Sequence, residues 1–416
     1  MGADDPVGAL SNALRGMNRR SALIALTCAL GGAAAPPRSR AAAALHAGVV
    51  AWGPEGCWVA AGGDALHRLP DAPARGIDPV PTALGLWLVT STGTLRRWDA
   101  DADADAAAPW LLRCTLRFDT PVHALAASPD GRWALAAHGE RLSLVDGRGE
   151  VARNFDGIDL KREPRGAASA LFSLPQRRSF FAAWPALGES WEISLDPAAA
   201  PIFDGLVHDY RMGEGLPKPG YLGARRAPLG RPMPAFSFAD ERVSWVAGML
   251  GDEVVVVHLD VRRRIAALRV PGADPAGAAL RPAARGQGSS QWWLPAGNEI
   301  LVLDATRWER VAGHVLPGPV RQLQATDEAV WALVGERGAA ALYRLGDSQA
   351  GAWQAVGGEA VRLAMLRAAP RRSLVLALRS TEPAALLLFD AGGSVLRTWP
   401  LPIGTGFEAA AWLSSG

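Results

Sequence analysis

The residues of this chain that are suited to bind a metal or an anionic ligand are concentrated in one polar stretch. Between Phe203 and Gly230 the sequence reads FDGLVHDYRMGEGLPKPGYLGARRAPLG. An imidazole followed by a carboxylate, as at His208 and Asp209, can ligate a metal or transfer protons, because the carboxylate fixes the imidazole tautomer. Guanidinium groups bind carboxylates through two hydrogen bonds. The candidate binding residues of this stretch are His208, Asp209, Tyr210, Arg211, Lys218, Tyr221, Arg225 and Arg226.

The same residue types also suit a solvated basic loop, and this alternative stays open. His208 and Asp209 are adjacent in the chain, so on a strand their side chains would point to opposite faces. The two can act together only if the stretch is a loop. We therefore predict an insertion at about 202–232 that docks on the surface of the remaining fold.

Other chemistries lack the residues that they need. The 416 residues include 43 Lys+Arg and 41 Asp+Glu, and this balance gives no reason to expect a nucleic-acid partner. None of the three cysteines, Cys28, Cys57 and Cys114, belongs to a C-x-x-C pair, so no zinc knuckle, thioredoxin-like site or c-type haem is expected. No phosphate loop or G-x-G-x-x-G motif predicts a nucleotide cofactor. Cys57 and Cys114 are either free thiols or, in an oxidising compartment, a disulfide.

Residues 1–45 have the composition of a targeting segment. Arg19-Arg20 precede the apolar run SALIALTCALGG, which is too short to span a bilayer and is followed by small residues. The arginine pair predicts export to the periplasm by the twin-arginine route, with an Ala-rich disordered arm as the alternative. The residues before Cys28 form a poor signal for a lipid anchor. No later segment is apolar over the roughly 18 residues of a membrane helix, so no transmembrane span is predicted in the mature chain.

From Val49 onward the chain consists of short apolar runs that alternate with Gly, Asp and Pro. Examples are VHALAAS, RWALAAH and RLSLVD, which the turn sequences PDG and GRG separate or follow. Runs that end in aspartate follow one another at 44 to 50 residues, apart from a gap of 64 that contains the polar stretch and a last gap of 86, or two periods of 43. A period in the middle forties is typical of a four-stranded propeller blade. The aspartates are Asp99, Asp146, Asp196, Asp260, Asp304 and Asp390. The acidic run DADADADA is predicted to be a solvated turn, with calcium binding as the alternative.

This period predicts an all-β protein, an eight-bladed β-propeller of four-stranded antiparallel blades over residues 46–416. A four-stranded sheet cannot bury both of its faces alone, and radial stacking buries each face against the next blade. Seven blades remain possible, because the first unit is short. The C-terminal run FEAAAWLSSG reads as one further strand that completes the first blade and so closes the ring.

The polar insertion and the segments after it resemble the family of haem d1 propellers. The residues that carry the likeness are FDGLVHDYRMGEG, KPGYLGARRAPL and VVVVHLDVRRRIAALRVPG, with weaker echoes in LVLDATRW and in the last blade. That family includes the d1 domain of cytochrome cd1 nitrite reductase and the propeller proteins of haem d1 biosynthesis. The chain is more similar to the biosynthesis type, which lacks a cytochrome c domain.

The resemblance implies a modified tetrapyrrole, a d1-type haem or its precursor, held at the axis of the ring. The carboxylates of the tetrapyrrole would meet the Arg and Lys residues of the insertion. His123 or His208 would ligate the iron. His123 lies on an inner-strand pattern, where a core or channel residue is the alternative. The protein would take part in haem d1 biosynthesis for dissimilatory nitrite reduction, with cd1 nitrite reductase or other biosynthesis proteins as partners.

The chain departs from the family at the haem histidines. The segments FSFAD and GADPAGAALRPA, in the region of the distal histidines, contain none, and PVPTALGLWL lacks the proximal one. Nitrite reduction by this chain is therefore not expected. Whether it modifies a tetrapyrrole or hands it over stays open. The alternative is a non-enzymatic interaction propeller that has lost haem binding.

Overall fold

The alternating apolar runs form strands because successive side chains of a strand can pack on opposite faces of a sheet. A computed structural model describes residues 49–53, 56–60, 66–100, 110–158, 166–203, 217–240, 244–281, 290–326, 329–336, 340–346, 354–355, 363–368, 375–379, 384–390, 392–402 and 409–412. The predicted targeting segment at 1–45, Cys28 and most of the acidic run lie outside these residues, so those predictions stand as made.

The strands form eight sheets of four antiparallel strands each. Blades 1 to 4 contain, from the innermost strand outward: β32 (Ala409–Trp412), β1 (Val49–Gly53), β2 (Gly56–Ala60) and β3 (His67–Leu69); β4 (Val80–Pro81), β5 (Gly85–Val89), β6 (Leu95–Ala100) and β7 (Trp110–Leu116); β8 (Val122–Ala127), β9 (Trp133–His138), β10 (Arg141–Asp146) and β11 (Val151–Asp156); β12 (Ala170–Leu174), β13 (Ser179–Trp184), β14 (Glu189–Ser194) and β15 (Ala224–Pro228).

Blades 5 to 8 follow the same order. They contain β16 (Ala235–Asp240), β17 (Trp245–Leu250), β18 (Glu253–His258) and β19 (Arg263–Arg269); β20 (Ala279–Arg281), β21 (Gln291–Ala296), β22 (Glu299–Asp304) and β23 (Glu309–Val315); β24 (Val320–Ala325), β25 (Ala329–Val334), β26 (Ala341–Gly346) and β27 (Gln354–Ala355); β28 (Leu363–Ala368), β29 (Val375–Arg379), β30 (Ala385–Phe389) and β31 (Val395–Pro400). A short 3-10 helix, Pro275–Gly277, precedes β20.

The eight sheets form one closed β-propeller, so the prediction of eight blades is confirmed. The C-terminal strand β32 pairs antiparallel with β1 and becomes the innermost strand of blade 1, as predicted from the final apolar run. Innermost strands of neighbouring blades contact one another, for example β8 with β12 and β24 with β28. The chain's last strand thus supplies the fourth strand of blade 1, and each blade keeps only short edges that the ring protects.

The hydrophobic core runs round the ring between the blades. Second strands of the blades carry fully buried tryptophans, namely Trp87, Trp184, Trp245, Trp292 and Trp331. Apolar clusters join consecutive blades: one unites Leu135 of blade 3 with Phe180 of blade 4, and another unites Val50 of blade 1 with Leu376 of blade 8. The cluster of blades 1 and 8 stabilises the closed ring, because it packs the first blade against the eighth.

The alternating strand directions give the ring two distinct ends. We call the end where the innermost strands begin face A and the end where they finish face B. Face A carries the turns between second and third strands, such as 139–140. Face B carries the turns between first and second strands, such as 128–132, and those between third and fourth strands.

Four of the six repeated aspartates accept backbone N–H groups just after the third strand, at face B, whereas Asp99 and Asp260 pair with arginines. The four are Asp146, Asp196, Asp304 and Asp390. The Asp146 Oδ1 accepts the Arg148 N–H at 2.9 Å, and Asp304 accepts that of Thr306 at 2.7 Å. A carboxylate that bonds its own backbone two residues on is a standard turn device. The aspartate period that predicted the blades is therefore structural.

The polar insertion is the face B connection of blade 4. It links β14 to β15 and spans 195–223, which begins and ends earlier than the predicted 202–232. Ala224–Pro228 pairs with β14 as the outermost strand, so Arg225 and Arg226 are strand residues and not loop residues. The described part of the chain contains no helix long and apolar enough to cross a membrane. Cys57 and Cys114 are free thiols.

Candidate functional site

Four innermost strands carry a β-bulge near the face A end of the axis. In β8, Val122 pairs with His138 and Ala124 with Ala137, so His123 is the extra residue. The corresponding extra residues in blades 5, 7 and 8 are Ser237, Arg321 and Ala364. A bulge re-aims its extra residue and recurs near active sites. These positions form a ring at the face A mouth of the axis.

His123 is the described histidine on this ring. Its side chain is exposed, and its Nε2 lies 3.1 Å from the carbonyl oxygen of Ala168, just before β12. A carbonyl can only accept a hydrogen bond, so Nε2 carries the proton and the neutral ring keeps its lone pair on Nδ1. Histidines that ligate metals are typically oriented in this way, with the other N–H held by a carbonyl or carboxylate.

His138 lies beside this position and was assigned no role from the sequence. It is buried, stacks on Phe118 with ring centroids 4.3 Å apart, and has its Nε2 2.8 Å from the Ser143 Oγ. The Ser143 hydroxyl donates to Asn154, so the His138 Nε2–H must donate to Ser143. Burial, followed by the charge of Arg141, lowers the pKa of His138. The ring is therefore a neutral support beneath the bulge. A histidine within an apolar strand gives no sequence signal for this role.

The described flanks of the insertion lie at the opposite face and at the outer edge. Ile202 and Lys218 exchange both backbone hydrogen bonds at 2.9 Å. The two ends of the segment between them therefore lie side by side. The Arg153 guanidinium of β11 donates to the Leu222 carbonyl at 2.9 Å. Since β11 and β15 are outermost strands, the base of the insertion bridges the rims of blades 3 and 4.

Arg226 is committed to its own blade. Its Nε and Nη2 donate to the two carboxylate oxygens of Glu189 at 2.7 and 2.9 Å, and its guanidinium stacks over Trp191 at 4.7 Å. The Trp191 indole N–H donates to the same carboxylate at 2.8 Å. Both charged side chains are largely buried. The cation is therefore already paired, and its geometry is that of a structural fork.

Arg225 and Tyr221 line clefts on face B. The Arg225 Nη2 donates to the Ala200 carbonyl at 3.2 Å, and the side chain borders a cleft of about 430 Å³. Tyr221, 38 % exposed, borders a cavity of about 320 Å³ between blades 3 and 4, opposite Trp133 and Leu174. Lys218 is exposed at the smaller cleft beneath the base of the insertion.

A charged clamp that the sequence did not reveal joins blades 4 and 5 at face B. Arg177 donates to both carboxylate oxygens of Glu192, at 2.8 and 3.1 Å, and to Asp260 and Ser244 at 2.8 and 3.1 Å. Burial raises the pKa of Asp260, but hydrogen bonds from Arg177 and Ser244 outweigh it, so the net pKa is lowered. The partners lie far apart in sequence, so only the ring brings them together.

The structure therefore separates the predicted site residues into two groups. His123 lies at face A on an innermost strand, whereas Lys218, Arg225 and Arg226 lie near the outermost strand β15. Tyr221 lies at face B, at a cavity that the end of the innermost strand β12 also lines. His208, Asp209, Tyr210 and Arg211 lie outside the described residues. Within the described ranges, no group of three or more His, Cys, Asp and Glu side chains could hold a metal ion.

Arg321 is a bulge residue of the face A mouth that the sequence analysis did not single out. Its strand and that of His123 share the pattern V-x-x-L-x-A, in VHALAA (Val122–Ala127) and VRQLQA (Val320–Ala325). The strand LAMLRA (Leu363–Ala368) is a third copy with leucine first. In all three strands the bulge falls after the first residue. The fourth bulged strand, β16 (AFSFAD), does not share this pattern.

Comparison with known proteins supports the fold. No family model matches the chain, and no curated protein sequence matches it. Among solved structures, dihydro-haem d1 dehydrogenase NirN in complex with DHE matches with a TM-score of 0.68 and 17% sequence identity, covering 89% of this chain and 75% of that chain. In all, 1378 solved chains match, so the fold alone does not select a function. The predicted resemblance to the haem d1 propellers is confirmed at the level of the fold.

Proposed function

We propose that this chain binds a d1-type haem precursor at the face A mouth of its axis and takes part in haem d1 biosynthesis. It would act in the periplasm after export, for dissimilatory nitrite reduction, and would meet cd1 nitrite reductase or other biosynthesis proteins. Support comes from the shared propeller fold, the sequence resemblance and the ring of bulges. The bound tetrapyrrole iron would supply the redox chemistry, and the protein would position it.

The observation that carries the proposal is the geometry of His123. Its imidazole is exposed on an innermost strand, its Nε2–H is tethered to Ala168, and its Nδ1 lone pair is left for a ligand. These are the requirements for an axial iron ligand, because a fixed tautomer and ring orientation make imidazole a better donor. Among the two predicted iron ligands we therefore choose His123 over His208.

His208, Asp209, Tyr210 and Arg211 lie outside the described residues, so their predicted binding roles stay predictions. The described ends of their segment, Ile202 and Lys218, belong to the face B connection between β14 and β15. His123 lies near the start of an innermost strand, at face A. We therefore base the proposal on His123 and not on the insertion.

A second candidate is the non-enzymatic interaction propeller. The observation that favours it is the pairing of Arg226 with Glu189, which leaves this arginine without a free charge for a tetrapyrrole carboxylate. Under this alternative the exposed Lys218 and Tyr221 would contact a protein partner at face B. It predicts that replacing His123 leaves denitrification in the source organism unchanged.

The test is a titration of the purified chain with sirohaem and with d1-type haem, followed by absorbance. Binding at micromolar concentration with a shift of the main haem band supports the proposal. The matched comparison is the His123→Gln variant, because it removes the ring while preserving a polar side chain of similar size. No spectral change for the native chain at micromolar ligand would overturn the proposal and favour the interaction propeller.

A further inference from the structure

Arg321 holds the position equivalent to His123 on the opposite side of the ring. It is the extra residue of the bulge in β24, between the Val320–Val334 and Gln322–Leu333 pairs. Blade 7 follows blade 3 by four positions in a ring of eight, so the two blades are directly opposed across the axis. The two bulged side chains therefore start from facing strands at the same depth of the mouth.

Among the described residues, no acidic side chain neutralises the charge of the Arg321 guanidinium. Its Nη1 is buried and has no hydrogen-bond partner there, and no ion pair to an acidic side chain is formed. Some strand arginines of the ring are paired, such as Arg97 with Asp99 and Arg226 with Glu189, whereas the Nε of Arg344 is also buried without a hydrogen-bond partner among the described residues. A partly buried cation without a counter-charge costs stability, so a native protein that keeps one usually has a use for it.

The backbone of Arg321 is fixed by a close approach. The 3-10 helix Pro275–Gly277 packs on β24, and a β-carbon at Gly277 would overlap the Arg321 carbonyl oxygen. Gly277 is buried, so neither strand nor helix can shift outward cheaply. The arginine thus projects from a rigid element, as a binding residue must.

We propose that Arg321 is the anion-binding residue of the face A mouth and pairs with a carboxylate of the axial ligand. The inference rests on the proposed function for the identity of that ligand, a carboxylate-bearing tetrapyrrole that spans from His123 to Arg321. Arginine suits this task because its planar fork accepts a carboxylate with two hydrogen bonds. It replaces the insertion's Arg225 and Arg226 as the carboxylate contact.

The experiment compares the native chain with Arg321→Met, Arg321→Lys and the control Arg307→Gln. Arg307 is an exposed arginine at a face B turn, remote from the axis. Two probes are titrated: sirohaem, and benzene-1,3,5-tricarboxylate, a flat polycarboxylate without a macrocycle. Thermal unfolding is measured for every variant without and with each probe.

We expect Arg321→Met to weaken sirohaem binding at least about tenfold, Arg321→Lys to weaken it less, and Arg307→Gln to leave it unchanged. Without ligand, Arg321→Met should raise the unfolding temperature by about 2 °C or more, because an unpaired charge is removed. Equal sirohaem binding by native protein and Arg321→Met, or a lower unfolding temperature of the unliganded variant, would overturn the inference.

The two probes separate this inference from the proposed function. If the native chain ignores sirohaem but the tricarboxylate stabilises it, and only through Arg321, the proposed function fails and the anion site stands. If sirohaem binds independently of Arg321, the anion site fails and the proposed function stands. If neither probe stabilises the native chain, both are overturned.

Discussion

The two ends of the ring differ in how their charged and imidazole side chains are used. At face B, Arg177 is bonded to Glu192 and Asp260, so it joins two blades. At the face A mouth, His123 is exposed with one nitrogen tethered, and Arg321 has no counter-charge among the described residues. Paired groups stabilise a scaffold, whereas groups held in place without a partner are suited to a ligand. We therefore place the proposed binding site at the axis and not at the polar insertion.

The largest effect is expected at the face A mouth. His123→Ala should weaken sirohaem binding at least about 100-fold, because the axial donor is lost and not merely reoriented. Added imidazole should restore the haem spectrum in part by occupying the vacated position. Absorbance titration measures both. The control is His258→Gln, a half-exposed histidine at the end of β18 on face B. A comparable loss of sirohaem affinity in His258→Gln would show that the effect is not specific to face A.

A large effect on stability, without one on binding, is expected at the rim. Arg226→Gln leaves the Glu189 carboxylate largely buried without its cation, which should lower the free energy of unfolding by about 3 kcal/mol. Chemical denaturation measures the loss. Sirohaem affinity should remain within about twofold of native. If Arg226→Gln instead weakened sirohaem binding without lowering the free energy of unfolding, the binding site would lie near the insertion.

The sequence predicted the scaffold well because the scaffold is periodic. The blade period, the closing strand β32 and the location of the insertion on one blade all follow from repeated strand and turn signals. It could not predict that Arg226 pairs with Glu189, since that contact depends on the register between β14 and β15 across a long insertion. It also missed the bulges, because one extra residue in a strand has no composition of its own.

A moderate effect of pH on stability is expected from the histidine beneath the bulge. Burial lowers the pKa of His138 below its ordinary 6.5 and also lowers that of His314. The folded protein thus favours the neutral rings, so their contribution is complete above pH 6.5 and is lost as pH falls through the lowered folded values. Denaturation at several pH values should show this decline, and His138→Gln should reduce its slope. If the slope of stability against pH were the same in His138→Gln as in the native chain, a group other than His138 would be responsible for the decline.

The smallest effect is expected at Arg225, which the sequence placed among the binding residues. Its described hydrogen bond is a single contact to the Ala200 carbonyl. Arg225→Gln should change the free energy of unfolding by less than about 0.5 kcal/mol and leave sirohaem affinity unaltered. The same titration and denaturation measurements apply. A clear loss of affinity would show that a carboxylate reaches face B.

The most direct measurement is a crystal structure of the chain with a bound d1-type haem. We predict the macrocycle at the face A mouth, with the iron bonded to the Nδ1 of His123 and a carboxylate on the guanidinium of Arg321. A macrocycle bound beneath the insertion at face B, or at the outer edge between blades 3 and 4, would contradict the account.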